Sequence, residues 1–374
     1  METKIKSIES YSGDNICLVR ITDGDGAQGW GMTAPFAANI SALVLHQIAA
    51  GTAFASHNSP DVNDFTDVAD EVIRRNYKYL GTFLARAAAG IDTALWDLEA
   101  KKKGVSAAVL AGKKSGRDYI DLYASSMKRD LPVREEADRL REIQDKFGYR
   151  AIKLHPGIPV GRDRDFWDGR TEDMVRAMIE TARPGTEIYV DVNGNYSVEK
   201  AIETARFLHD CGVKFFEEPC PYWKTEETKA VRDACEKIGI PVAGGEQDYI
   251  DTVWENMIER RVMDICQPDL LYLGGFSRSL RVAKLAASKN LPVTPHTSNR
   301  SPIFIMGLHY MAHIDNPYPF LECGIEEDLW ATECYTPQII IKDGRAAVPD
   351  GPGWGFEPDE DFLAKAHYQI SRND

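Results

Sequence analysis

The chain has no CxxC pair and no Cys/His zinc spacing. Its seven cysteines (Cys17, Cys211, Cys220, Cys235, Cys266, Cys323, Cys334) are odd in number and scattered. That argues against a disulfide scaffold or zinc ribbon and points to reduced thiols in a cytoplasmic protein. No apolar run reaches about 18 residues, and the N-terminal Met1-Glu-Thr-Lys-Ile-Lys6 has no apolar signal core. Neither a leader nor a membrane partner is therefore expected. Cations are in the minority, 44 against 58 acids for a net charge of −14, which disfavours nucleic acid. No low-complexity tract or flexible linker interrupts the 374 residues.

The chain does contain two textures. The first fifty or so residues read as β-rich, with alternation over Lys4–Tyr11 and Asn15–Thr22 and a turn at Asp23-Gly-Asp-Gly26. A helical period follows, and Phe83–Ala100 reads as one long buried helix with only Gly90 against it. After this α+β region, short strands alternate with amphipathic helices at Arg134–Phe147, Glu172–Ala182 and Val198–Cys211, the last with Ser197 as N-cap. Eight strands are expected: Tyr119–Ala124, Ala151–His155, Glu187–Asp191, Lys214–Glu217, Pro241–Gly244, Met263–Cys266, Pro292–Thr294 and Pro319–Glu322. Eight is the number that closes a TIM-type barrel. The last forty residues read as irregular and strand segments returning to the first region.

Three strand ends carry carboxylates: Asp191, Glu217 and Glu246, 26 and 29 residues apart. That interval is one β/α unit, so a closed barrel gathers them at its C-terminal rim. A lone strand-end carboxylate commonly caps a helix or pairs in a loop. Three in phase need a cation, and oxygen-only ligands favour Mg²⁺. On the second strand, alternation points Lys153 and His155 inward. The sixth and seventh strands end in Asp269 and His296, a pair in which the carboxylate orients the imidazole; the eighth ends in Glu322. Acid/base groups on either side of a cation suit removal of a proton α to a carboxylate. Glu322, kept protonated, would donate a hydrogen bond.

These residues resemble the enolase superfamily, and within it the mandelate racemase subgroup. The resemblance runs along nearly the whole chain: Gly26-Ala-Gln-Gly-Trp-Gly31, Gly90-Ile-Asp-Thr-Ala-Leu-Trp-Asp97, Phe216-Glu-Glu-Pro219, Ala243-Gly-Gly-Glu246, Gln267-Pro-Asp269, Pro295-His296 and Val348-Pro-Asp-Gly-Pro-Gly353. It implies a (β/α)7β barrel (116–330) under an α+β capping domain built from 1–115 and 331–374. It makes Glu217, rather than Glu218, the metal ligand, and Asn193 a substrate or metal-sphere contact. The subgroup carries Lys-x-Lys on the second strand; here the second position is His155, as base or as substrate ligand. The activity implied is Mg²⁺-dependent dehydration of an acid sugar by a homo-oligomer acting on a small-molecule carboxylate. His155 or Lys153 takes the proton and His296 protonates the leaving hydroxyl, or His296 does both. Racemisation, epimerisation or cycloisomerisation is the alternative, and a non-catalytic ligand-binding barrel a more distant one. Substrate choice is expected from cap loops Ser12–Asn15 and Thr33–Asn39.

Overall fold

The computed structural model describes residues 4–373, so the outermost ends of both terminal segments, including the first three residues of the N-terminal stretch, lie outside it. Strands β1 (Ile5–Ser12), β2 (Cys17–Asp23) and β3 (Gln28–Met32) form an antiparallel meander. Alternation sends Cys17, Val19 and Ile21 to one face, against the cap helices, and Leu18, Trp30 and Met32 to the other, against the barrel. Both faces are therefore dry. The long helix Thr82–Lys103 crosses this sheet and ends at Gly104 in the left-handed conformation. Its approach is close enough that a Cβ on Gly31 would lie 2.3 Å from the Ala94 nitrogen, and one on Gly90 2.8 Å from the Val19 side chain.

One helical stretch among the described residues, Ala38–Asn58, is long and apolar enough to cross a membrane by length and composition. Reading strictly apolar runs missed it. Its Ala38, Ala42, Leu45, Ala49 and Ala53 are buried in the cap core, while Ile40 and Leu43 are exposed.

The barrel strands are β4 (Tyr119–Ser125), β5 (Ala151–Leu154), β6 (Glu187–Asp191), β7 (Phe215–Glu217), β8 (Val242–Gly244), β9 (Ile265–Cys266) and β10 (Leu321–Gly324), and β10 pairs in parallel with β4. The expected seventh strand is reduced to Val293, bridged to Cys266 on one side and Pro317 on the other. Pro292 and Pro295 flank it and supply no N–H, so no longer ladder forms. There the strand ladder gives way to isolated bridges. Strand Ala151–Leu154 also stops one residue short of His155. The helices run Val133–Phe147, Arg170–Thr181 and Val198–Asp210, and Ser197 accepts from the Lys200 N–H.

The barrel interior is layered. Tyr123, Ala151, Tyr189, Phe215, Ile265 and Phe320 form an apolar plug, with Tyr189 and Phe215 stacked at 4.1 Å. Two residues on along each strand, on the same inward face, stand Ser125, Lys153, Asp191, Glu217, Gln267 and Glu322. The C-terminal segment serves both regions. Arg345–Ala347 pairs with the lower half of β4, while His367–Arg372 adds to β1 as an edge strand of the cap sheet. Between them, Asp97 accepts from the Trp30 and Trp354 N–H groups and joins cap to tail.

Candidate active site

Asp191, Glu217 and Glu246 converge: one oxygen from each lies within 4.8 Å of the others, and all three side chains are buried. Glu218 is outside the group; its backbone turns to φ +41° and its buried Oε1 has no partner. Each carboxylate is held from behind. Gln267 Nε2 donates to Glu217 Oε2 at 2.9 Å, and Gln247 Nε2 to Glu246 Oε1 at 2.8 Å. Asn193 donates its backbone N–H to Asp191 Oδ1 at 2.7 Å and its amide Nδ2 to Oδ2 at 2.9 Å. Burial pushes the Glu217 carboxyl up; Lys153 opposes this, and the neighbouring Asp191, Glu322 and Glu246 add to it. Three hard carboxylate oxygens converging in a buried pocket fit a bound divalent cation.

Lys153 Nζ lies 2.8 Å from both Glu217 Oε1 and Glu322 Oε1, and 3.8 Å from Asp191 Oδ2. Burial opposes its charge, but the two glutamates outweigh burial and keep it an ammonium. An ammonium has no lone pair, so this geometry disfavours Lys153 as the base. Glu322 also departs from expectation. Burial raises its pKa, but Lys153 and His296 hold it well below the usual range, so it is an acceptor rather than a protonated donor. Its Oε2 accepts from the Thr297 N–H at 2.9 Å.

His155 gives its Nδ1–H to the Ser126 carbonyl and sets Nε2 2.9 Å from Asp191 Oδ2. Burial lowers its pKa against the pull of Asp191. On the other flank, His296 Nδ1 lies 2.8 Å from Asp269 Oδ2, while Asp269 Oδ1 accepts the Leu271 and Tyr272 N–H groups, each at 2.8 Å. Burial disfavours the His296 imidazolium, but Glu246, Asp269 and Glu322 outweigh burial and stabilise it. Its Nε2 lies 3.4 Å from Glu246 Oε2.

Several neighbours carried no sequence signal. Arg129, in the loop after β4, donates to Asn193 Oδ1. Arg86 of the long cap helix lies 4.0 Å over the Tyr272 ring, which sits 6.0 Å from the His296 ring, and donates to the Pro35 carbonyl. The Thr33–Asn39 loop is thus tied towards the site. The loop around Gly13–Ile16 instead borders a cavity of about 700 Å³ shared with Trp330, Tyr335 and Phe362.

Family profiles match residues 3–112, as the mandelate racemase / muconate lactonizing enzyme N-terminal domain, and 135–362, as the enolase C-terminal domain-like family. An arabinonate dehydratase from Saccharolobus solfataricus is 30% identical over 274 residues, 71% of this chain and 68% of that protein. A D-galactarolactone cycloisomerase from Agrobacterium fabrum is 30% identical over 290 residues, 75% of this chain and 73% of that one. A solved candidate racemase from Roseobacter denitrificans superposes with TM-score 0.93 at 41% identity, covering 99% of this chain and all of that one. The chain belongs to the mandelate racemase / muconate lactonizing enzyme family of the enolase superfamily.

Proposed function

We propose that the protein dehydrates an acid sugar, aldonate or aldarate, to a 2-keto-3-deoxy acid, with Mg²⁺ held by Asp191, Glu217 and Glu246. The observation that carries the reading is the carboxylate triad with His155 on one flank and the Asp269–His296 pair on the other. When bound, the cation supplies positive charge against the negative charge that develops on a carboxylate losing its α-proton. Lys153 adds a fixed positive charge beside it. His155 Nε2 takes the α-proton, since Nδ1 already carries the hydrogen bonded to Ser126. His296, an imidazolium oriented by Asp269, gives its Nε2 proton to the β-hydroxyl, which leaves as water. Each such transfer contributes about 10²–10⁴ in rate. The enol left behind tautomerises to the keto acid. The dehydratase name of one relative supports the elimination. Racemisation is the second reading, favoured by two acid/base groups on different barrel strands and by the 41% identical candidate racemase.

Incubation with Mg²⁺ and a panel of aldonic and aldaric acids in D₂O separates the two. Keto acid identifies the dehydratase, and α-deuterium without keto acid identifies the racemase. Neither product across the panel, or full turnover in excess EDTA, sinks the proposal.

A further inference from the structure

Arg129 is used by neither proton transfer, yet it is the first link of a chain that ends on a metal-site carboxylate. It sits on the loop after β4, at the rim where β6 delivers Asp191. One guanidinium nitrogen donates to Asn193 Oδ1, another to the Met127 carbonyl at 3.3 Å, and Nε is buried without a partner. A guanidinium only donates, so it settles which end of the Asn193 amide is oxygen. Nδ2 must then face Asp191, where it donates to Oδ2 while the Asn193 backbone N–H takes Oδ1. Asn193 makes both contacts only because its backbone stands in the left-handed region at φ +45°, which asparagine tolerates better than most side chains. Both oxygens of Asp191 are thereby directed.

We infer that Arg129 is a positioning residue: through Asn193 it orients the Asp191 carboxylate and so sets the affinity of the triad for a divalent cation. This rests on the metal-site reading above. The sign of the effect separates positioning from plain electrostatics. Arg129 lies close enough for its charge to act on Asp191 and Glu246. As a mere cation it repels Mg²⁺, and its removal would tighten binding. As a positioning residue, its removal loosens binding.

The experiment is calorimetric titration of Mg²⁺ into EDTA-stripped protein for wild type, Arg129→Gln, Asn193→Gly and the double variant. Glycine accepts the positive φ, so the second substitution removes only the side chain. Each single variant is expected to bind Mg²⁺ about 10–100-fold more weakly, and the double variant no more weakly than Asn193→Gly. At saturating Mg²⁺ the KM for substrate should stay near wild type in Arg129→Gln. Arg129→Lys keeps the charge without the planar fork and should not rescue. Unchanged or tighter binding by Arg129→Gln, or losses that add in the double variant, would overturn the inference while leaving the metal site standing. Wild-type protein that binds no Mg²⁺ overturns both.

Discussion

His155 Nε2 stands 2.9 Å from Asp191 Oδ2, so the residue that departs from the subgroup's second lysine is packed against the first metal-site carboxylate. The same ring is anchored at Nδ1 by the Ser126 carbonyl, so the proposed base is Nε2, the nitrogen that faces Asp191. His155→Asn should lower kcat by about 10²–10⁴ and leave Mg²⁺ affinity within a few-fold. A collapse of Mg²⁺ affinity with kcat preserved at saturating metal would show a prop rather than a base.

Asp269→Asn tests the opposite flank. The amide keeps an oxygen for the Leu271 and Tyr272 N–H groups but presents a donor to His296 Nδ1, which ends the stabilisation of the imidazolium. Turnover is expected to fall roughly 10³-fold with little change in melting temperature. Near-normal turnover would remove His296 from the role of acid.

Lys153 bridges Glu217 and Glu322 at 2.8 Å to each. Lys153→Met leaves two buried carboxylates face to face, and removal of one partner from a buried ion pair costs about 3–5 kcal/mol. Thermal unfolding in EDTA should show a clear loss for this variant. A melting temperature equal to wild type would mean the glutamates are not ionised together.

Asp92, from the long cap helix, accepts the Ser277 N–H at the start of the barrel helix Phe276–Ser288. Burial pushes its carboxyl up to about 7, with Ser277 and Arg281 pulling the other way. Since that lies above the unfolded value of about 3.9, the native state holds the proton more tightly. Its contribution is complete below about pH 4 and is lost as pH rises through 7. Asp92→Asn lacks this loss, so its stability relative to wild type should rise by about 2 kcal/mol from pH 5 to 7. Parallel denaturation profiles for the two proteins would refute the assignment.

Gly31→Ala should destabilise the cap by roughly 3 kcal/mol, because the added Cβ meets helix backbone at 2.3 Å rather than a movable side chain. Circular dichroism melts would register it. An unchanged melt would mean that strand and helix can separate freely.

The triad, Lys153, His155 and the Asp269–His296 pair were legible because strand alternation and the β/α interval are geometric. A residue two places along a strand must share its face. Arg129 and Gln247 were not legible, since loop residues reach their partners through turns that no period encodes. The expected Pro292–Thr294 strand shrank to Val293 because hydrophobic character does not count missing N–H groups. The glycines of Gly29-Trp-Gly31 carried no packing signal in the sequence; their work is to let β3 lie against a helix some sixty residues onward. The expectation of a protonated Glu322 counted its negative neighbours and not the closeness of Lys153, 2.8 Å away.

The pairing of β1 with His367–Arg372 joins residues at least 355 positions apart. During synthesis the barrel can assemble while the cap sheet still lacks an edge, exposing the unpaired backbone of β1. Cap completion is therefore a late, high-contact-order event, and removal of residues 367–372 should yield a chain that aggregates through β1 while its carboxylate triad is still in place.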